Sequence, residues 1–222
     1  MPAKILFKYT SRSRVENFFR GLNSIVDNLA NKEDYFILCS FDVDDSAYAN
    51  SVFVERLAGY KNLRYYFGFS DCKVAAINRD MPLAPAFDIL INFSDDQIFI
   101  HPGFDDIIRE DFGGNFDMFL HYPDDNVGHL IPTMSVMGVD YYNRDQYIYH
   151  PSYRNVYCDN EAMCAAQMRG KYKFIDKKIF DHLHPAFGRA PLDEQYKKTE
   201  EPLGYKIDGE NFINRKRLNF PA

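Results

Sequence analysis

Apolar runs alternate with helical stretches over the first half of the chain. Continuous runs predict buried strands at residues 4–9, 35–41 and 87–93, and a further strand is predicted at 63–67. Helices are predicted between and after them, over residues 14–30, 47–57, 73–79 and 105–111. Strands that alternate with helices form a parallel sheet with helices on both faces. The pattern therefore predicts a single-domain α/β fold, Rossmann-like, with a mostly parallel central sheet flanked by helices.

The second half of the chain is less regular. Residues 118–157 are rich in Tyr, Met and turn residues, which favours strands and loops laid over a site rather than another regular unit. A short helix is predicted at 161–168, followed by a mixed region with a charged segment at 193–201 and a basic tail at 215–217.

Composition narrows the class of protein. The 222 residues are 46% hydrophobic and 26% charged, as in ordinary globular proteins, and the net charge of −6 provides no overall positive field for nucleic acid. Four cysteines without a Cys-x-x-Cys spacing favour reduced thiols, and no apolar stretch is long enough for a signal peptide or a membrane span. We therefore expect a cytoplasmic protein with no membrane span.

Polar residues follow three of the predicted strands. In parallel sheets, ligand sites lie beyond the carboxyl ends of the strands, so these residues are the main candidates for binding. They are Thr10, Ser11, Arg12 and Arg14 after the first strand, Asp42 and Asp44 after the second, and Asp95 and Asp96 after the fourth.

The sequence Ser94-Asp95-Asp96 is the clearest of these features. Adjacent carboxylates in a cleft repel each other and need a cation or a hydroxyl-rich partner to stay ionised. Mg²⁺ or Mn²⁺ suits this role, since such ions take few protein carboxylates and complete their coordination with phosphate oxygens. A solvated turn or a helix cap is the alternative.

The segment from Asp42 to Ser46 has three interpretations. It fails as a calcium loop, because the sixth and twelfth positions are Ala47 and Phe53. It resembles the first motif of the haloacid-dehalogenase phosphatases, with Asp42 as nucleophile, although here a complete strand and helix come before it. In the third interpretation a carboxylate accepts a hydrogen bond from a nucleotide base. The hydroxyl and guanidinium groups of residues 10–14 support nucleotide binding, and an ordinary helix cap with exposed arginines is their alternative.

Taken in order, these motifs resemble the family 2-type glycosyltransferases of GT-A fold. The resemblance rests on Tyr-Thr-Ser-Arg-Ser-Arg, Ser-Phe-Asp-Val-Asp-Asp, the 73–79 segment, Asn-Phe-Ser-Asp-Asp and Pro-Gly-Phe-Asp. It implies a nucleotide-sugar-binding half at residues 1–110 and an acceptor and catalytic half at 111–222. It further implies that Asp42 or Asp44 contacts the base, that Lys73 and Asn78 lie near the nucleotide, and that Asp95 and Asp96 replace an Asp-x-Asp motif, with Asp96 on the metal.

In the second half, residues 157–161 resemble the acidic motif that carries the catalytic base of inverting members. Asp159 and Glu161 are both candidates, and favourable charge at a helix N-terminus is the alternative. His182 and His184 face the same way on an extended segment, and the resemblance implies that they complete the metal shell or contact the diphosphate. Without the resemblance, the favoured interpretation is that both are ordinary, partly buried histidines.

These observations predict a metal-dependent glycosyltransferase that uses Mn²⁺ or Mg²⁺ and a nucleotide-sugar donor, expected to be a UDP-sugar, and that inverts the transferred sugar. The acceptor is expected to be a glycan or another hydroxyl-bearing substrate, and a nucleobase acceptor stays open. Two alternatives remain: a GT-A-like module that binds nucleotide or glycan without turnover, and a phosphatase that depends on Asp42.

Overall fold

A seven-stranded sheet runs through the centre of the computed structural model, which describes residues 2–221. Across the sheet, the strands are β3 (Leu63–Gly68), β2 (Tyr35–Asp42), β1 (Ile5–Thr10), β4 (Ile89–Ser94), β7 (Ser135–Gly138), β6 (Phe119–His121) and β8 (Tyr172–Phe174). Only β7 runs antiparallel to its two neighbours among these paired strands, so the predicted mostly parallel sheet is confirmed. A separate antiparallel pair joins β5 (Gln97–Phe99) to β9 (Phe180–His182).

Helices cover both faces of the sheet, as predicted. They are α1 (Val15–Asn28), α2 (Ser51–Leu57), α3 (Lys73–Arg79), α4 (Phe104–Phe112), α5 (Val139–Asp145), α6 (Cys158–Met168), α7 (Glu194–Thr199) and α8 (Pro202–Arg217). The side chains of α1, α2 and α4 pack on one face, and those of α3, α5 and α6 pack on the other. Strands from both predicted halves of the chain belong to the central sheet, and the division into a donor half and an acceptor half remains a prediction.

The side chains of the central strand β1 contribute to two hydrophobic cores, one on each face of the sheet. Ile5, Phe7 and Tyr9 point into the core under α1, whereas Leu6 points into the core under α3. Successive side chains of a strand point to opposite faces, so a continuously apolar run is buried on both sides. This is why the apolar runs located the central strands correctly.

On the α3 face, β1 carries a buried lysine near its carboxyl end. The Lys8 ammonium donates a hydrogen bond to Ser40, which in turn donates one to Asp80. Burial lowers the pKa of Lys8 to about 8, and the opposing charge of Asp80 offsets only part of that effect. A buried lysine therefore links β1 to β2 near the polar edge of the sheet.

The second half of the chain is more helical than predicted. Residues 118–157 contain α5 besides strands and loops, and residues 215–217 end the long helix α8 rather than form a tail. Helix α8 has no continuous apolar stripe, because its buried positions include Gly204 and Asp208. The helix is held to the rest of the fold largely by hydrogen bonds, and a search for periodic apolar residues does not detect such a helix.

The sequence predicted that the chain has no membrane span and that its cysteines are reduced thiols. Among residues 2–221, none of the helices combines the length and the apolar character needed to cross a bilayer. The four cysteines are free thiols, and Cys39 and Cys158 are buried.

Lys8 makes a prediction about the pH dependence of stability. The unfolded chain binds more protons at this position than the native chain between pH 8 and pH 10.5, so the native state gains stability as the pH rises through that window. We expect the wild type to gain about 2 kcal/mol relative to Lys8→Met between pH 7 and pH 9.5, measured by urea unfolding. Lys4→Met, which removes an exposed lysine next to the same strand, serves as the control. Parallel pH profiles for the wild type and Lys8→Met would contradict the assignment.

Candidate functional site

The polar ends of β1, β2 and β4 lie side by side at one edge of the sheet. In the register, Thr10 is paired with Ser40 on one side and with Ser94 on the other. The residues that follow Thr10, Asp42 and Ser94 therefore come together, as the sequence predicted. Three groups of contacts organise this edge.

The first group is built around Asp42. Its Oδ2 accepts a hydrogen bond from Arg12 Nη1 at 2.7 Å, and its Oδ1 accepts one from Arg79 Nη1 at 3.0 Å. Arg12 also reaches both oxygens of the exposed Asp44, each at 2.9 Å. Arg79 is held in addition by Ser70 Oγ at 2.7 Å and by the carbonyl of Phe41 at 2.8 Å. Both oxygens of Asp42 are thus engaged, one by a fixed arginine and one by an arginine that also pairs at the surface.

The second group holds Asp95, which is buried. Ser11 Oγ donates to Oδ2, and Arg14 Nη1 donates to Oδ1 at 3.1 Å. Burial and the neighbouring charge of Asp96 raise the pKa of Asp95 to about 6, although Arg14 opposes the shift. Asp95 is therefore the more easily protonated member of the pair.

The third group holds Asp96, and it leaves one oxygen free. The Tyr196 hydroxyl donates to Oδ2 at 2.7 Å, and His182 Nε2 lies 3.4 Å from the same oxygen. Burial works against the charged form, but His182 and Tyr196, which contact Oδ2, outweigh it and keep the pKa of Asp96 below its usual range. Oδ1 is buried and has no hydrogen-bond partner among residues 2–221. Asp96 therefore presents an ionised, unpartnered oxygen.

The segment around α7 closes over both aspartates. Asp193 binds Arg14 through two hydrogen bonds of 2.7 Å to Nε and Nη2, and the Arg14 guanidinium stacks 3.8 Å from the centre of the Tyr196 ring. Arg14 thus contacts Asp95, while its stacking partner Tyr196 contacts Asp96. A segment about 100 residues away in sequence completes the acidic site.

The two predicted histidines lie next to each other but have different partners. His182 Nδ1 is 3.0 Å from Asp124, and the carboxylates of Asp124 and Asp96 overcome the effect of burial and raise the pKa of His182 to about 9. His184 Nε2 bonds to Glu200 at 2.8 Å. Within the described chain, no three His, Cys, Asp or Glu side chains are arranged to hold a metal ion. The predicted set of Asp96, His182 and His184 is thus not preassembled, although Asp96 and His182 are in contact.

Lys73 and Asp159 lie at the first turns of two helices, α3 and α6. Desolvation lowers the pKa of Lys73, but the surrounding charges, including Asp159, Asp96 and Glu200, outweigh it and raise the pKa. Burial raises the pKa of Asp159, and Lys73 opposes that shift. Lys73 forms no ion pair within 4 Å in the part of the chain described, and its exposed side chain lies near these three carboxylates.

One loop positions Lys73 and Asp159 together. The carboxylate of Asp208 in α8 accepts hydrogen bonds from the backbone amides of residues 154–156, at 2.8 to 3.3 Å. The same loop binds the start of α3, where the Lys73 amide donates to Asn155 Oδ1 at 3.2 Å. The loop then leads directly into α6 and Asp159. Helix α8 therefore supports both walls of the cleft through hydrogen bonds.

Two predicted site residues have structural partners. Glu161 is buried and accepts hydrogen bonds from Arg215 at 2.8 to 3.0 Å and from the Tyr153 hydroxyl at 2.7 Å, so both of its oxygens are occupied. The Asn78 amide bonds to the backbone of Ile148 and Tyr149. Both side chains are thus held by contacts within the fold, and their proposed roles in catalysis and nucleotide binding stay predictions.

Several residues of the site were not predicted from the sequence, among them Arg79, Asp124, Asp193, Tyr196 and Glu200. Asp193 caps α7 through the Tyr196 amide, so a cap signal exists in the charged segment. Asp124 follows the end of β6 and so obeys the same strand-end rule that located Asp42. Nothing local distinguishes Tyr196, because its contact with Asp96 spans 100 residues.

Comparisons with known proteins identify the fold. A scan against family models and a search of the curated proteins gave no match. Among solved structures, the mannosyltransferase PcManGT from Pyrobaculum calidifontis, in complex with GDP-Man and Mn²⁺, is similar with a TM-score of 0.68 and 8% identity, over 98% of this chain and 76% of that one. S. aureus TarS 1-349 is similar in its UDP complex and in its UDP-GlcNAc complex, with a TM-score of 0.65 and 12% identity in each.

The TarS matches cover 97% of this chain and 72 to 73% of the TarS chain. These likenesses confirm the predicted GT-A-type fold over nearly the whole chain. At identities of 8 to 12% they concern the fold, and the chemistry of this chain has to be argued from its own residues.

The contact between Tyr196 and Asp96 makes a prediction about stability. Tyr196→Phe removes the donor to a buried, charged oxygen, and we expect a loss of about 2 kcal/mol in the free energy of unfolding, measured in urea. Tyr205→Phe is the matched control: Tyr205 is exposed and its hydroxyl has no hydrogen bond within residues 2–221, so a change within about 0.5 kcal/mol is expected. Equal effects of the two variants would mean that the hydroxyl of Tyr196 does not bind Asp96.

Proposed function

We propose that this protein is a metal-dependent glycosyltransferase that moves a sugar from a nucleotide-diphosphate donor, first of all a UDP-sugar, to an acceptor hydroxyl with inversion. The observation that carries the proposal is Oδ1 of the ionised Asp96, which is buried and has no partner among residues 2–221, with Lys73 nearby. A diphosphate needs cations beside it, and a divalent metal needs a carboxylate. The GT-A-type fold, and neighbours solved with GDP-Man, UDP and UDP-GlcNAc, support this interpretation.

The donor base is assigned to the Arg12, Asp42 and Asp44 group. Uracil carries one ring N–H between two carbonyl oxygens, so it pairs with a carboxylate that has a guanidinium beside it. Asp42 and Arg12 are such a pair. When the base binds Asp42 in place of Arg12, the guanidinium keeps its bond to Asp44. Asp95 is assigned to the ribose or the donor sugar, with Thr10, Ser11 and Arg14 lining this end. Lys73 is assigned to the diphosphate.

The residues present fit a divalent metal. Oδ1 of Asp96 is a carboxylate oxygen without a partner among residues 2–221, and an ion such as Mg²⁺ or Mn²⁺ needs few such oxygens because it takes most of its shell from water and phosphate. Asp96 would hold the ion, and His182 and His184 are assigned as further ligands once they release Asp124 and Glu200 and His182 gives up its proton to solvent. Bound there, the ion would offset the charge of the departing nucleoside diphosphate.

Asp159 is the proposed catalytic base. Inversion requires a carboxylate that takes the proton of the acceptor hydroxyl on the face opposite the leaving nucleotide. Asp159 is half-buried, its pKa is raised by burial, and it lies across the cleft from Lys73. Glu161 was the other candidate, but its two oxygens bind Arg215 and Tyr153. The geometry therefore favours Asp159.

The phosphatase alternative is disfavoured by the state of Asp42. A nucleophilic carboxylate needs a free oxygen, and here Oδ1 binds the fixed Arg79 while Oδ2 binds Arg12, which would have to turn to Asp44 before Asp42 could attack. The second alternative, a module that binds without turnover, uses the same residues as the proposed enzyme. Turnover separates the two.

The proposed function is tested by incubating the protein with UDP-sugars and with GDP-Man in the presence of Mn²⁺, and measuring release of the nucleoside diphosphate. We expect release from at least one donor and a loss of about 100-fold or more in Asp96→Asn, since the site then loses the carboxylate that holds the metal, and the charge of that metal offsets the diphosphate. Asp27→Asn, an exposed position on α1, should behave as the wild type. Nucleotide binding without release would favour the binding module, and phosphate release from simple esters would favour the phosphatase.

The choice between the two acidic candidates makes a further prediction. Asp159→Asn should fold normally, bind the donor nucleotide as tightly as the wild type and transfer sugar about 10² to 10⁴ times more slowly. Glu161→Gln should lose about 3 kcal/mol or more in stability, because it leaves Arg215 as an uncompensated, largely buried charge. Normal transfer by Asp159→Asn in calorimetrically confirmed donor complexes would exclude it as the base.

A further inference from the structure

A second concave region lies outside the acidic cleft. It is a groove of about 560 Å³ between the carboxyl end of α6, the edge strand β8 and the loop that follows β6. Its walls include Pro123, His129, Gln167, Tyr172, Phe174 and Asp176. The volume falls within the range of roughly 300 to 1,000 Å³ that is usual for small-ligand sites.

Two aromatic rings form one wall of the groove. Tyr172 and Phe174 are two residues apart on β8, so they lie on the same face of the strand. The Tyr172 hydroxyl bonds to Nδ1 of the buried His121 at 2.7 Å, and the Phe174 ring packs edge-on against His121 and His129 at 5.2 and 6.3 Å. Both rings therefore have contacts within the fold that do not depend on a ligand. The negative face of such a ring attracts the weakly positive C–H groups on the flat side of a sugar ring.

Polar side chains with free hydrogen-bonding groups surround these rings. The Gln167 amide, the His129 imidazole and the Asp176 carboxylate are exposed, and none has a side-chain hydrogen bond or ion pair within residues 2–221. Together they offer an amide, an imidazole and a carboxylate, which can donate to and accept from hydroxyl groups. An aromatic platform with such a rim matches a ligand that has apolar faces and many hydroxyl groups, which is a saccharide.

Two structural elements connect the groove with the proposed catalytic cleft. Asp159, Met163 and Gln167 are spaced four residues apart and form one stripe along α6, about 12 Å long at 1.5 Å per residue. On the other side, the loop that carries His129 also carries Asp124 and Asn126, which bind the side chain and the carbonyl of His182. Both walls of the groove therefore lead to residues of the cleft.

We propose that this groove is an acceptor subsite that binds a sugar unit of an oligosaccharide or polysaccharide, away from the hydroxyl that receives the transferred sugar. The proposal rests on the proposed function and gives the acceptor class: a glycan chain long enough to reach from Asp159 to Phe174, rather than a single sugar or a small aglycone. Phe174 and Tyr172 bind the sugar faces, and Gln167, His129 and Asp176 bind hydroxyl groups.

The test measures binding of four trisaccharide probes, maltotriose, cellotriose, mannotriose and chitotriose, by saturation-transfer NMR and calorimetry. We expect at least one to bind the wild type and to lose roughly 10- to 100-fold in affinity in Phe174→Ala, with a similar direction in Gln167→Ala. Lys173→Ala is the matched control, since Lys173 is the neighbour on β8 that points to the opposite face and should leave binding unchanged.

The outcomes separate this proposal from the proposed function. Donor hydrolysis to nucleoside diphosphate should be equal in Phe174→Ala and the wild type, because the groove lies outside the donor cleft. Donor turnover without binding of any probe would overturn the groove proposal alone, whereas probe binding without donor turnover would overturn the enzyme and leave the groove. A concentration-dependent mass in light scattering that Phe174→Ala abolishes, with no probe bound, would assign the groove to a second copy of the chain.

Discussion

Two adjacent buried carboxylates, Asp95 and Asp96, impose the constraint on which the rest of the site depends. Unpaired, the two charges would repel each other in a region of low dielectric constant, and the fold offsets them from two sides. Arg14, between β1 and α1, pairs with Asp95, while His182 and Tyr196 bind Asp96. Because those partners come from the end of the chain, the carboxyl-terminal region has to fold back over the sheet edge.

The two carboxylates are not equally supplied with hydrogen-bond partners, and this difference sets what each can bind. Asp95 has both oxygens engaged, whereas Asp96 keeps one oxygen without a partner among residues 2–221, and the exposed Lys73 lies near it. Under the proposed function, the free oxygen of Asp96 would hold the metal and Lys73 would bind the phosphate groups of the donor. Helix α8 supports this arrangement at a distance, since Asp208 fixes a loop that binds the start of α3 at Lys73 and leads into α6 and Asp159.

The sequence could predict whatever is encoded locally. The apolar runs that form β1, β2 and β4 end in Thr10, Asp42 and Ser94, and the rule that parallel strands end at one edge placed these residues together. Contacts between distant segments could not be predicted in this way. Tyr196 binds Asp96 although 100 positions separate them in the sequence, and Arg215 binds Glu161 although 54 positions separate them. Helix α8 was missed because its buried face is held by hydrogen bonds to Asp208 rather than by an apolar stripe.

The most direct test of the central claim is to locate the metal and the nucleotide on the folded chain. Mn²⁺ added with UDP to the isotope-labelled protein broadens NMR signals close to the ion. The account predicts broadening of residues 94–96 and 182, UDP-dependent shifts at residues 10–14, 42–44 and 73, and unaffected signals at Tyr172 and Phe174. Mn²⁺ broadening centred elsewhere, or UDP-induced shifts that leave residues 42 and 96 unchanged, would contradict it.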